Sequence, residues 1–163
     1  DFAGLWNVEE LIDKACSKSR LGYIIKFAGC PMIWKSKLMS QTATSTMHAE
    51  YIALSTALRE VIPLRRILEE ILPVVNSTAV TSQPVMRCHV FEDNMACLTL
   101  AHTRRLTNLT RWLCTSLHHF WEHVENGTVT IGPIETTKQD ADYLTKPLPK
   151  EPFLANRHRN QGT

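Results

Sequence analysis

The longest periodic segment of the chain runs from Thr46 to Ile71, where Leu54, Leu58, Val61, Leu64, Leu68 and Ile71 recur at three- or four-residue spacing. That period lays one apolar stripe along a helix and obliges the rest of the chain to cover it. Ser45 or Thr46 is placed to cap its start. Pro63 predicts a kink rather than a break, because the stripe resumes straight after it. Before this helix, Gly22 to Ala28 and Pro31 to Lys37 read as two strands of a hairpin joined at Gly29-Cys30. Asp1 to Gly4 reads as the tail of an earlier strand, with Leu5 to Ser19 as a polar connection.

After the helix, Pro73 to Pro84 is rich in Ser and Thr and reads as a loop. Val85 to Phe91 is a β-branched, apolar strand that stops at Glu92-Asp93-Asn94, followed by a short helix from Asn94 to His102. Thr110 to Glu125 predicts a helix closed by Asn126-Gly127, and Thr128 to Ile134 alternates as a strand. Thr136 and Gln139 have capping-box spacing and predict a last helix that ends at Pro147 and Pro149, with a polar tail over 154–163. Strands first, then helices alternating with single strands, describe an α/β layered domain.

Composition narrows the classes. The 163 residues are 44% hydrophobic and 21% charged, enough for one domain with a full core. A formal charge of +2 does not mark a nucleic-acid binder, so any basic surface must come from local placement. The five cysteines (Cys16, Cys30, Cys88, Cys97, Cys114) contain no C-x-x-C pair, which argues against a structural zinc site and points to a reducing compartment. No run approaches the roughly 18–20 apolar residues of a membrane span. With no secretory signal, the N-x-S/T triplets at Asn76, Asn108 and Asn126 read as chance. A start at Asp1 without an initiator Met reads as a piece of something longer.

Three carboxylates stand at positions that favour chemistry. Glu50 lies four residues before Leu54 on the inward stripe, where a charge is costly unless it is paired or bound to a metal. Asp93 follows the carboxyl end of an apolar strand, where ligand crevices open in α/β sheets. Asp142 sits early in the last helix. Each also has an ordinary explanation, since acids are favoured in first helical turns and Asp-Asn pairs cap helices. Together they offer oxygen ligands from three elements, the way hard cations such as Mg²⁺ are held. Two such ions about 3.5–4 Å apart can cleave a phosphodiester.

The local wording around these acids resembles the ribonuclease H domain of copia-type LTR retrotransposon Pol polyproteins. The matching runs are DFAG at Asp1 to Gly4, SRLGY at Ser19 to Tyr23, GCPMIWKSK at Gly29 to Lys37 and STMHAEYIALS at Ser45 to Ser55. IPLRRILEE at Ile62 to Glu70, EDNMACLTLA at Glu92 to Ala101, HVENG at His123 to Gly127 and DADYLTKPLPKEPF at Asp140 to Phe153 continue it. The resemblance implies a ribonuclease H-like fold over 1–153, with its N-terminal strand truncated. Its sheet would be a mixed central one, with antiparallel N-terminal strands, later parallel strands and flanking helices. It implies Mg²⁺- or Mn²⁺-dependent cleavage of the RNA strand of RNA–DNA hybrids, with Glu50, Asp93 and Asp142 as metal-binding catalytic carboxylates. Its partners would be the hybrid and the reverse-transcriptase domain of the same polyprotein. No membrane is implied, and the place is intracellular, in a cytoplasmic retrotransposon particle or the nucleus.

The departures bear on activity. The family's first metal-binding Asp lies in D-A-D-[FW]-A-G, so Asp1 resembles the second Asp of that motif and the first would stand two residues upstream. On that reading the chain as given is expected to be a weak or inactive nuclease. The usual E-A-E-Y is His48-Ala49-Glu50-Tyr51, and the usual R-S-K-H-I is Leu109 to Leu113, which loses a basic residue and a histidine. The alternative is therefore a non-catalytic remnant that binds nucleic acid or the reverse-transcriptase domain. Lys35, Lys37, Asn94, Arg105, Arg111 and Lys146 are candidates for nucleic-acid contact. His118, His119 and His123 with Cys114 have helical i, i+4 spacing but no H-E-x-x-H, and read as a half-buried helix face.

Overall fold

β1 (Arg20–Phe27) and β2 (Cys30–Leu38) form an antiparallel hairpin, with Arg20 opposite Leu38 and Phe27 opposite Cys30. Its turn is Ala28-Gly29, one residue before the expected position. Both residues have positive φ, 49° and 81°, the two-residue geometry whose twist matches the strands. The computed structural model describes residues 18–40, 42–75, 86–103 and 118–161. The expected early strand at Asp1 to Gly4, and the start of the helix expected from Thr110, lie outside the described residues.

Helix α1 spans Thr46–Val75 and runs through Pro63 and Pro73. Its start is capped by Ser45, whose Oγ accepts the His48 amide at 3.1 Å. His48 Nδ1 accepts the Thr44 amide at 3.2 Å. The imidazole thus holds the residue before the cap, where the Glu or Gln of a capping box would hold the cap residue itself, and burial lowers its pKa toward the neutral form that this bond requires.

β3 (Cys88–Glu92) lies parallel to β4 (Val129–Pro133), with Val90 opposite Ile131. Between them come α2 (Met95–His102), capped by Asn94, and α3 (Trp121–Glu125), followed by Asn126 and Gly127 at φ +74°. α1 separates two cores by residue size. Tyr51, Leu54, Leu58 and Ile62 pack with Leu98, Phe120, Val129 and Ile131, whereas Ala49, Ala53 and Ala57 let the hairpin approach through Leu21 and Tyr23.

Two expectations change. The antiparallel and parallel strand pairs are both present, but among the described residues they are two separate two-stranded sheets rather than one mixed sheet. Each sheet covers a different stripe of α1, and no hydrogen bonds join β1 to β3. The C-terminal segment also differs. The Thr136–Gln139 spacing opens only a 3-10 turn, Thr136–Lys138, with no side-chain cap bond. α4 starts at Asp142 (Asp142–Thr145), and α5 covers Lys150–Gln161. The expected polar tail over 154–163 is therefore helical through Gln161, because Asn156 and Asn160 are buried at i, i+4 and Arg159 pairs with Asp140 at 2.9 Å. No described helix is long and apolar enough to cross a membrane.

Candidate functional site

The gap between the two sheets is a cavity of about 500 Å³, floored by the α1 stripe that includes Leu54, Val61 and Leu64. Glu50, Asp93 and Asp142 all line it. Glu50 comes from the first turns of α1, Asp93 from the residue after β3, and Asp142 from the first residue of α4. Three elements far apart in sequence thus bring the three expected carboxylates to the lining of one cavity.

Their charges act on each other. Burial raises the pKa of Glu50, the charges of Asp93 and Asp142 raise it further, and Lys146 partly offsets them. Lys146 Nζ is 2.8 Å from Asp142 Oδ2, whose side chain is 15% exposed. Among the described residues, no three Asp, Glu, His or Cys side chains converge closely enough to form a metal-ligand set. The donor chemistry, three hard carboxylates with surplus negative charge, suits a divalent cation; their spacing as placed does not cage one.

Local packing explains how α4 brings Asp142 in. A Cβ on Gly22 would stand 2.7 Å from Thr145 Cγ2 and 3.0 Å from Leu144 Cβ, so only glycine lets α4 lie on β1. Ser36 Oγ donates to the Leu144 carbonyl at 2.6 Å, and Lys26 pairs with Asp140 at 2.6 Å, fixing the segment at two further points. Gly22→Ala is expected to cost about 1–3 kcal/mol by overpacking. Urea unfolding would measure this, and an unchanged midpoint would contradict the close approach.

Glu92 is a group that sequence reasoning misses. The residue is 6% exposed, and its carboxyl accepts the Asn94 amide at 3.0 Å and bonds the Cys97 thiol. Burial chiefly, with some repulsion from Glu50 and Asp93, pushes its pKa up to about 7 against two opposing hydrogen bonds. The signal that could have found it is the alternation of Cys88, Val90 and Glu92 on one strand face, which turns the acid inward with two apolar neighbours.

The remaining candidates divide. Lys146 sits at the carboxylates. Lys35 is paired with Glu60 of α1 at 3.0 Å, and Asn94 uses its side-chain oxygen to cap α2 through the Cys97 amide. Lys37 is exposed on β2 and does not line the cavity. Asp1, Arg105, Arg111 and Cys114 lie outside the described residues. His118 is buried, with Nδ1 2.6 Å from the Tyr51 hydroxyl and its ring stacked on Trp121 at 3.9 Å. It thereby pins Tyr51, the residue beside Glu50, into the core.

No family model matches the chain, and no solved structure matches it. Among curated proteins it is 30% identical over 148 residues to a retrovirus-related Pol polyprotein from transposon TNT 1-94 of Nicotiana tabacum, covering 88% of the chain and 10% of that protein. It is 26% identical over 141 residues to a retrovirus-related Pol polyprotein from transposon RE1 of Arabidopsis thaliana, covering 86% and 9%. It is 29% identical over 136 residues to the transposon Ty1-DR1 Gag-Pol polyprotein of Saccharomyces cerevisiae, covering 83% and 7%. The chain thus spans a tenth or less of the length of these relatives. With most of its length matched in all three, this chain is a homologue of retrotransposon Pol polyproteins.

Proposed function

We propose that the chain is a ribonuclease H-like domain that cleaves the RNA strand of RNA–DNA hybrids during retrotransposon reverse transcription, with Mg²⁺ or Mn²⁺ as cofactor. The observation that carries this reading is the delivery of Glu50, Asp93 and Asp142 to one cavity, where burial first, and then the charges of Asp93 and Asp142, raise the proton affinity of Glu50. Folds keep such unfavourable charge clusters where function needs them. The chemistry supplied by a bound divalent ion is Lewis-acid stabilisation of a phosphoryl oxygen and easier ionisation of water. The protein's part is to present the three carboxylates, with Lys146 holding Asp142 and lowering the net charge at the site.

The two sheets support the finer fold through the edges they leave open. Residues Gly22 to Phe27 of β1 and Met86 to Asp93 at β3 line the cavity consecutively. A sheet face presents alternate residues, whereas an edge presents them all. One further strand between these edges would give the single mixed sheet of a ribonuclease H-like fold. The partners on this reading are the RNA–DNA hybrid, gripped through phosphates and 2′-hydroxyls, and the reverse-transcriptase domain of the same polyprotein.

A second reading, a binding-only remnant, is favoured by the lack of convergence of the carboxylates. Labelled RNA–DNA hybrid, single-stranded RNA and double-stranded DNA, each incubated with Mg²⁺, separate the two readings. The chain and a version extended upstream are both assayed. Cleavage confined to the RNA of the hybrid by the extended version, and weaker or absent with the chain as given, is the expected result. Binding of the hybrid without cleavage by either chain would select the remnant.

A further inference from the structure

Asp93 lies in a turn whose two neighbours are bonded to the frame. On its N-terminal side, the Glu92 carbonyl accepts the Ile134 amide at 3.1 Å. On its C-terminal side, the Asn94 amide donates to Glu92 Oε1 at 3.0 Å. This side-chain-to-backbone bond, from residue i to i+2, closes a small ring around Asp93 and narrows the backbone conformations open to it. Asn94 is held again at the start of α2, with Oδ1 accepting the Cys97 amide at 3.0 Å and its carbonyl accepting the Leu98 amide at 3.0 Å. The Glu92 carboxyl bonds the Cys97 thiol in turn, and Cys97 is fully buried in the core beside Leu98 and Tyr51.

We propose that Glu92 is a positioning residue, whose buried carboxyl oxygen ties the Asp93 turn to the α2 core and so sets where the Asp93 carboxylate points. The role belongs to the acceptor oxygen, not to the negative charge. It contrasts with Glu50 and Asp142, which stand directly in helices. Asp93 alone follows a strand, so its direction depends on the turn. The proposal rests on the nuclease reading for its catalytic consequence and on the hydrogen bonds alone for its structural one.

The test compares Glu92→Gln, which keeps the acceptor oxygen, with Glu92→Ala, which removes it, in the full chain and in its upstream-extended form. Removing a group that orients a metal-binding residue typically costs 10–100-fold in metal affinity or activity. Glu92→Ala is accordingly expected to raise the Mg²⁺ concentration for half-maximal cleavage about 10–100-fold, with little change in KM for the hybrid. Glu92→Gln is expected to restore the wild-type Mg²⁺ dependence to within a few-fold. If Glu92→Ala unfolds the chain, Cys97→Ala removes the thiol support instead and is expected to shift the Mg²⁺ dependence in the same direction. Equal impairment of the Gln and Ala variants, or none in either, would overturn the proposal. Amide exchange at Asn94 gives a readout independent of cleavage. Protection kept in Glu92→Gln and lost in Glu92→Ala supports the tie even if the wild-type chain cuts nothing, a result that would count against the nuclease reading alone. Unchanged protection in Glu92→Ala would count against the tie itself.

Discussion

Asp93→Asn is expected to slow Mg²⁺-dependent cleavage of an RNA–DNA hybrid by about 10²–10³-fold while leaving the domain as stable as before or slightly more so. The rate effect follows from the several kcal/mol by which an ion held at such a site stabilises transition-state charge, about tenfold for each 1.4 kcal/mol lost. The stability effect follows from what Asp93 does in the fold. Its charge raises the proton affinity of Glu50 and of Glu92, so it is a source of repulsion. Asn is close in shape and removes that repulsion. A structural acid would behave in the opposite way, with its loss lowering stability. Initial cleavage rates and thermal unfolding of the same preparation check both halves. A variant that unfolds at lower temperature with an unchanged cleavage rate would contradict both.

Glu92→Gln is expected to stabilise the chain by about 3 kcal/mol above pH 7 and to have little effect near pH 4.5. The folded state raises the Glu92 pKa from 4.5 to about 7, so between these values the native protein binds a proton that the unfolded chain has already released. Unfolding free energy of the wild type therefore falls as pH rises through that window and levels off above it. The size follows from the width of the window, at about 1.4 kcal/mol for each pH step of one, and with the residue only 6% exposed little solvent screening reduces it. Gln keeps an acceptor for the Asn94 amide and carries no charge to desolvate. Glu50 shifts in the same direction, so a shallower slope remains in the variant. Urea unfolding at pH 5 and pH 8 measures the difference. Parallel pH profiles for wild type and variant would show that Glu92 ionises normally in the fold.

The parts of this fold that are legible in the sequence are those set by local rules. The hairpin, the Ser45 cap, the passage of α1 through Pro63 and the Asn94 cap follow from turn chemistry, capping and helical period within a few residues. The three carboxylates are visible as charges at positions where a core or a sheet end is expected. What is not legible depends on distant partners. α5 carries no apolar stripe, and its buried face is Asn156 and Asn160, where the Asn160 side-chain NH2 donates to the Asn156 carbonyl at 2.8 Å and its Oδ1 has no partner among the described residues, with Arg159 reaching Asp140. Glu92 looks like one more acid in a charged turn, because its burial is decided by Cys97 and the α2 core. Lys146 reads as a phosphate contact, yet its ammonium is paired with Asp142, a pairing that spans one helical turn. The relation between the two sheets rests on strand edges facing a cavity, which no local period encodes.

The most direct measurement follows both strands of one RNA–DNA hybrid, each with its own label, in Mg²⁺ and in EDTA, using the upstream-extended chain and its Glu50→Gln and Asp142→Asn variants. The expected result is fragmentation of the RNA strand in Mg²⁺ only, an intact DNA strand, and loss of fragmentation in both variants. Fragments that persist in EDTA or in the variants, or an RNA strand left whole by the unsubstituted extended chain, would contradict the assignment of Glu50, Asp93 and Asp142 as one cation-dependent hydrolytic site.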